Sequence, residues 1–282
     1  MPTPPADHRK QFIKTFNDLA RHRERHDVLA DFLEMAFCAV CKTTLPPGPA
    51  ADAIEERYMT VVRRNKPEDV RAIPRLLGIT ALAVQHGGCD FLGQVVVELE
   101  LPNQHMGQFF TPYDVSRMIS ELTLDTVGEV IAEQGFVTVQ EPACGAGGMV
   151  IAAADVLARQ GFDIGRHLYV DAIDISPMCF RMTYLQAALR GIPATVRRGN
   201  TLSLEMFDHA VTPAFFDFYA IHKDRFDAWR HGTDAGTVGH DAAISQRDAE
   251  SNAPEPEPVR TVAPAAEIRQ PATKSRQLDL FG

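Results

Sequence analysis

The sequence has no run of apolar residues long enough to span a membrane. Its opening stretch, Met1-Pro-Thr-Pro-Pro-Ala-Asp-His8, lacks the apolar core of a secretory signal, so a cytoplasmic protein is expected. Positive charge is in deficit: 28 Lys and Arg stand against 37 Asp and Glu, a net charge of −9. That balance excludes a chain coated for indiscriminate DNA binding, though not one that meets DNA locally. Cysteine is sparse and odd in number (Cys38, Cys41, Cys89, Cys144, Cys179), which argues against a disulfide framework. Cys38 and Cys41 with His86 and Cys89 have zinc-like spacing. Cys38, however, falls inside the helical apolar pattern Val28, Phe32, Met35, Ala36, Ala39, where a cysteine acts as a small hydrophobe, and no metal is expected. Cys144 has no base beside it that would make it a nucleophile.

What is present is concentrated between Gly107 and Leu202. Gly107-Gln-Phe-Phe-Thr-Pro112 comes first, then Glu141-Pro-Ala-Cys-Gly-Ala-Gly-Gly148, then Asp171-Ala-Ile-Asp-Ile-Ser-Pro177, then Gly199-Asn-Thr-Leu202. Alternation over Phe136–Gln140 predicts a strand, and Met149–Arg159 reads as a helix closed by Gly161. A strand that enters a glycine turn and then a helix brings backbone N–H groups close to a ligand. Gly145, Gly147 and Gly148 do not keep the Gly-x-Gly-x-x-Gly spacing of a dinucleotide site. Asp174 closes the next strand, Leu168–Ile173, where a carboxylate can accept ribose hydroxyls of any adenosine ligand.

Taken together, these four motifs resemble those of the adenine N6-specific DNA methyltransferases, and most nearly the modification subunit of type I restriction systems. The resemblance runs from about Asp90 to Leu202. It implies S-adenosyl-L-methionine as cofactor. Phe110, Thr111 and Pro112 would hold its methionine end, Glu141, Ala143, Gly145 and Gly147 its middle, Asp174 and Ile175 its ribose, and Asn200 the adenine edge, where the family often has Asp. It also implies DNA as substrate and a target-recognition subunit as partner. The fold class expected is α/β: a helical N-terminal domain over residues 1–100, a partial Rossmann-like methyltransferase sheet over 101–230, and a disordered tail over 231–282.

Within residues 1–100, helices are expected over His8–Val62, with stripes Phe12, Phe16, Leu19 and Ile54, Tyr58, Val61, Val62, and over Pro67–Val84 with a break near Pro74. Arg63, Arg64 and Lys66 form a short basic cluster best read as a solvated helix end. Thr111 is expected to cap a helix with Pro112 in its first turn and Val115, Met118, Ile119 and Leu122 turned inward. Met178, Met182, Leu185 and Leu189 line a further helix, and Ala194–Arg197 a third strand.

Past Leu202 the pattern weakens. The family places an Asn or Asp, two prolines and an aromatic where the target adenine is held, because acceptors for the amine hydrogens help restore its nucleophilicity and the aromatic stacks on the flipped base. The nearest stretch here is Thr212-Pro213-Ala214-Phe215, with Thr212, Pro213 and Phe215 as degenerate counterparts. The base-handling half is therefore expected from a partner, or catalysis is absent and the protein is a regulator, an anti-restriction factor or an adaptor. Gly232–Arg276 is rich in Ala, Pro and acidic residues, and it ends in Gln277-Leu-Asp-Leu-Phe-Gly282. Gln277, Leu278, Leu280 and Phe281 resemble the peptide by which bacterial proteins bind the DNA polymerase sliding clamp. If that resemblance holds, Phe281→Ala lowers the affinity of the full chain for purified clamp by about tenfold or more, read by surface plasmon resonance.

Overall fold

The computed structural model describes residues 5–85, 87–101 and 110–234. Five helices come first: α1 (Pro5–Leu19), α2 (Arg25–Cys41), α3 (Pro49–Arg64), α4 (Pro67–Val84) and α5 (Phe91–Glu98). Phe12, Phe16 and Leu19 of α1 recur at helical spacing and are buried, as the periodicity predicts. They meet Phe32 of α2 and Phe91 of α5, whose rings stand edge-on to Phe12 at 5.3 and 5.7 Å. α3 begins at Pro49, because a proline is well suited to the first turn. α4 is unbroken at Pro74, contrary to expectation. Pro74 lies on the exposed side, where solvent can take over the carbonyl its missing N–H would have served.

The second part alternates helices and strands: α6 (Tyr113–Thr123), α7 (Val127–Gln134), β1 (Val137–Glu141), α8 (Gly148–Arg159), α9 (Ile164–His167), β2 (Leu168–Asp174), α10 (Pro177–Arg190), β3 (Ala194–Asn200), β4 (Glu205–Val211) and α11 (Ala214–Asp234). The strands form one sheet in the order β1-β2-β3-β4. β1, β2 and β3 are parallel, with Val139 opposite Val170 and Ala172 opposite Val196. β4 runs antiparallel to β3, with Thr195 opposite Val211. Side chains alternate across the sheet. Leu168, Val170 and Ala172 enter one core with Val150 and Leu157 of α8 and Phe180 and Tyr184 of α10. Tyr169 turns to the other face, where α11 packs through Phe218 and Phe226. The fold is thus the helical segment and partial α/β sheet expected, with one strand reversed. Among the described residues no helix is long and apolar enough to cross a membrane.

α6 departs from its prediction in two ways. Its cap is Pro112, with no side-chain cap from Thr111. Its buried residues are Ser116 and Ser120, while Val115, Met118 and Ile119 are each at least 39% exposed and Leu122 is 75% exposed. Small serine side chains let α6 lie close along α8, which leaves the apolar stripe on another flank.

The N-terminal helices also pack on α10. Phe37 of α2 meets Phe180 and Tyr184 at 5.2 and 4.9 Å. Glu34 pairs with Arg57 of α3 at 2.8 Å and with Arg181 of α10, and Arg57 reaches Asp208 of β4 at 3.3 Å. In the basic cluster after Val62, Arg63 holds Glu56, and Arg64 joins Arg23 and Asn65 around the buried Asp31, while Lys66 is exposed. Burial alone would raise the Asp31 carboxyl, but those donors outweigh it and hold it below its ordinary range. A carboxyl depressed in the folded chain stabilises above its unfolded value of 3.8, and that contribution is lost as pH falls through the lower folded value. Asp31→Asn is expected to cost about 1–3 kcal/mol in urea unfolding at neutral pH and much less at about pH 2.

Candidate functional site

Parallel pairing brings the carboxyl ends of β1, β2 and β3 to one pole of the sheet. In open α/β sheets ligands bind there. Glu141, Asp174 and Asn200 are the last residues of these strands. The turn after β1 is held down on several sides. Cys144 N–H donates to the Ile173 carbonyl at 2.9 Å, Thr201 hydroxyl to the Pro142 carbonyl at 2.6 Å, and Thr183 hydroxyl to the Gly145 carbonyl at 2.9 Å. Gly145 and Gly147 have φ of +55° and +99°, where side chains are strained. A methyl added at Gly145 would lie 3.2 Å from the Phe110 ring, and one at Gly147 would lie 3.1 Å from the Thr183 hydroxyl.

Asp174 is the hinge of this pole. Its carboxylate accepts from Gly145 N–H at 2.9 Å and from Ser176 N–H at 2.8 Å. It therefore joins the glycine turn to the start of α10, where the Ser176 side chain accepts from Cys179 N–H. Burial pushes the carboxyl up, and the backbone hydrogen bonds oppose that rise. Each carboxylate oxygen keeps lone-pair capacity beyond one backbone bond, so a ribose can still be received. Asn200 differs from an acidic residue in this position. Its side-chain carbonyl already accepts from Leu202 and Ser203 N–H at 3.0 and 3.3 Å. Toward a ligand it has an amide donor to offer rather than an acceptor. Ile175 and Leu202 stand exposed after Asp174 and Asn200, at 57% and 97%, as apolar surface at the same pole.

The structure therefore brings Phe110, Gly145, Gly147, Asp174, Ile175 and Asn200 to one end of the sheet, with Glu141 and Ala143 on the turn itself, where Ala143 N–H meets the Glu141 carboxylate at 3.3 Å. Thr111 and Pro112 are exposed at the entry to α6. The residues ahead of Phe110, Gly107 to Phe109, lie outside the described residues, as do His86 and Gln277, Leu278, Leu280 and Phe281.

Thr212, Pro213 and Phe215 belong elsewhere. Because β4 is antiparallel, its carboxyl end reaches the opposite pole, beside the first residues of β3. Thr212 is fully buried there, donating to the Ile192 carbonyl at 2.7 Å and accepting from Ala194 N–H at 2.9 Å. Phe215 packs on Tyr169 and Tyr219. These residues fasten a strand end at the pole away from the glycine turn.

Two residues that sequence reasoning passed over, Gln186 and Thr183, support the turn together with Asp90. Gln186 of α10 donates to the Ala146 carbonyl at 2.7 Å and to Asp90 at 2.6 Å, and accepts from Leu92 N–H at 3.1 Å. Asp90 also caps α5 through Gly93 N–H at 2.9 Å, and its burial drives its carboxyl upward. Thr183 fills the space that Gly147 leaves. The available signal was polarity out of place: Thr183 and Gln186 lie on a helix whose neighbours are apolar. Cys144 is buried, and burial pushes its thiol far above its ordinary range, so it stays protonated. The Cys38 thiol is pushed up to about 12, chiefly by burial. Among the described residues no group of three His, Cys, Asp or Glu is placed to hold a metal ion.

Residues 100–227 match the model of the N-6 DNA Methylase family. Over 107 residues, 38% of this chain, the sequence is 32% identical to the type I restriction enzyme MjaIX methylase subunit of Methanocaldococcus jannaschii. The aligned stretch spans 17% of that relative's length. No solved structure gives a significant match.

The Thr212 geometry carries its own test. Thr212→Val keeps the shape but leaves Ala194 N–H and the Ile192 carbonyl without their partner. A loss of about 1–3 kcal/mol is expected in urea unfolding, with ligand affinity at the other pole unchanged in the folded protein.

Proposed function

We propose that residues 100–227, which belong to the N-6 DNA methylase family, form the S-adenosylmethionine-binding half of an adenine-N6 DNA methyltransferase. The observation that carries the proposal is the convergence of the Phe110-covered glycine turn, Asp174 and Asn200 at the carboxyl ends of three parallel strands. The donor set fits that cofactor. Backbone of the Glu141–Gly148 turn can approach closely because Gly145 and Gly147 carry no side chain. Asp174 would receive the ribose, Ile175 and Leu202 would flank the purine, Asn200 would donate to a ring nitrogen, and the Glu141 carboxylate suits a cationic methionine end. When bound, S-adenosylmethionine supplies a methyl group activated by its sulfonium.

The adenine side of the reaction is where this chain is incomplete. The exocyclic amine must shed a proton as its nitrogen is methylated, and acceptors beside that nitrogen favour the loss. Thr212 and Phe215 stand at the far pole, so the acceptors and the stacking aromatic come from a second polypeptide. The likeness to a type I restriction methylase subunit supports DNA as substrate and a target-recognition subunit as that partner. The remote position of Thr212 favours one further reading, a protein that binds S-adenosylmethionine without catalysis and acts as a regulator or anti-restriction factor. Under either reading, the peptide Gln277–Phe281 would tether the protein to the sliding clamp.

Calorimetric titration of the full chain with S-adenosylmethionine is expected to show one site. Asp174→Ala, with folding checked by circular dichroism, weakens it by about 10- to 100-fold. Transfer of labelled methyl to unmethylated DNA is expected to be absent with the chain alone. Label on adenine without any partner would overturn the incomplete-site reading, and absence of binding would overturn the cofactor.

A further inference from the structure

A cavity of about 320 Å³ opens where α6, α8 and α10 meet, and no residue of the glycine turn lines it. Its size lies at the lower end of the range for small-molecule sites. Each of the three helices contributes an arginine to its wall: Arg117 from α6, Arg159 from α8 and Arg190 from α10. Like charges gathered on one wall repel unless anions answer them.

The protein's own acids answer two of the three. Asp155 is the one acid among the lining residues, and its carboxylate is committed. It accepts from Gly88 N–H at 2.5 Å, from Arg190 Nη2 at 3.1 Å and from the Tyr113 hydroxyl. Arg159 donates to Glu121, which does not line the cavity, at 2.9 Å. Arg117 is left over. Its Nε is buried and stands 3.8 Å from Glu121, and its Nη2 stands 4.0 Å from Asp114, whose side chain is 89% exposed. Neither separation is a hydrogen bond. Arg190 is fixed at both Nη atoms, by Asp155 and by the Gln85 carbonyl at 3.0 Å. Its Nε, like that of Arg117, is buried with no hydrogen-bond partner among the described residues. Two cations on one wall thus each hold a buried N–H donor unpaired. Such donors are costly, and most costly on a charged group. A neutral acceptor would answer the hydrogen bonds, but an anion answers the charge as well. The Tyr113 hydroxyl is spent on Asp155, so its ring and the Ala158 methyl are the apolar part of the wall.

We infer that this cavity is a binding site for a small organic oxyanion, a phosphate or carboxylate carried on an apolar body. The oxyanion accepts from Nε of Arg117 and Arg190, and the apolar body lies against Tyr113 and Ala158. The site does not rest on the function proposed above, since none of the residues assigned to S-adenosylmethionine lines the cavity.

The test is a titration of the full chain, labelled with ¹⁵N-arginine, with inorganic phosphate, phenyl phosphate and benzoate at constant ionic strength. The Nε–H resonances of Arg117 and Arg190 are identified from Arg117→Lys and Arg190→Lys. Both are expected to shift and saturate along one curve. Phenyl phosphate is expected to bind about tenfold more tightly than inorganic phosphate, because its ring is buried. The tighter of phenyl phosphate and benzoate names the head group. Arg117 makes no hydrogen bond that the fold needs, so Arg117→Gln folds normally and weakens binding by about tenfold or more. Ala158→Phe keeps every charge, fills the cavity from an exposed helix position and blocks binding. Circular dichroism checks the fold of each variant. Two further variants leave binding unchanged: Arg75→Gln, which removes an exposed charge of α4 outside the cavity, and Asp174→Ala, which weakens the cofactor site. No saturable shift, binding undiminished by Arg117→Gln or by Ala158→Phe, equal loss from Arg75→Gln, or phenyl phosphate no tighter than inorganic phosphate would each overturn the inference.

Discussion

The side-chain amide of Gln186 is the bond on which the rest of the molecule depends. It is fully buried, and its donors and its acceptor are all engaged: the carbonyl of Ala146 in the glycine turn, the carboxylate of Asp90 and the N–H of Leu92. A buried amide with one partner missing would cost more than the bond contributes, so these three segments must be in place together. Through Gln186 the entry of α5, the turn after β1 and the middle of α10 share one geometry. Asp174 does the same nearer the surface, where it fastens Gly145 to Ser176. Both loops at this pole are tied to α10.

Much of this was legible in the residues. Period-two alternation before a glycine cluster, and period-three-to-four alternation after it, located β1, the turn and α8 within a residue. The apolar stripes of α1, α2 and α10 named buried residues such as Phe12, Phe32, Met182 and Leu185, whereas Ala39 is exposed and Met178 and Leu189 are half-buried. What periodicity cannot say is which flank of a helix its neighbour will take. On α6 the apolar stripe looked like a core face, yet Ser116 and Ser120 made the contact because small side chains allow closer approach. Gln186 was illegible for a related reason: one polar residue among apolar ones reads as noise until its partners, about 40 and 96 positions earlier, are in space beside it.

The strand direction of β4 was the other hidden variable. A sequence of alternating residues does not carry its own sense relative to a neighbour. The short Thr201–Leu204 turn between β3 and β4 leaves no room for a crossover helix, so the chain must reverse. That single reversal sends Thr212 to the pole opposite Asp174 and turns a suspected target-base residue into a fastening for Ala194. It also ends the sheet on that side, since α11 then folds back across the face that holds Tyr169.

The ion cluster of Glu34, Arg57, Arg181 and Asp208, with Phe37 seated on Phe180 and Tyr184, bears on how such a chain can be inherited. Helices from the first third of the sequence supply charges and rings that residues of α10 and β4 need in order to be buried. A recombination event that exchanged the leading helices for those of a distant relative would strand Arg181 and Asp208 beside foreign surface. The family match begins only at residue 100, yet the helices before it must drift in step with the segment they cover, and evolution is obliged to carry the two as a single heirloom.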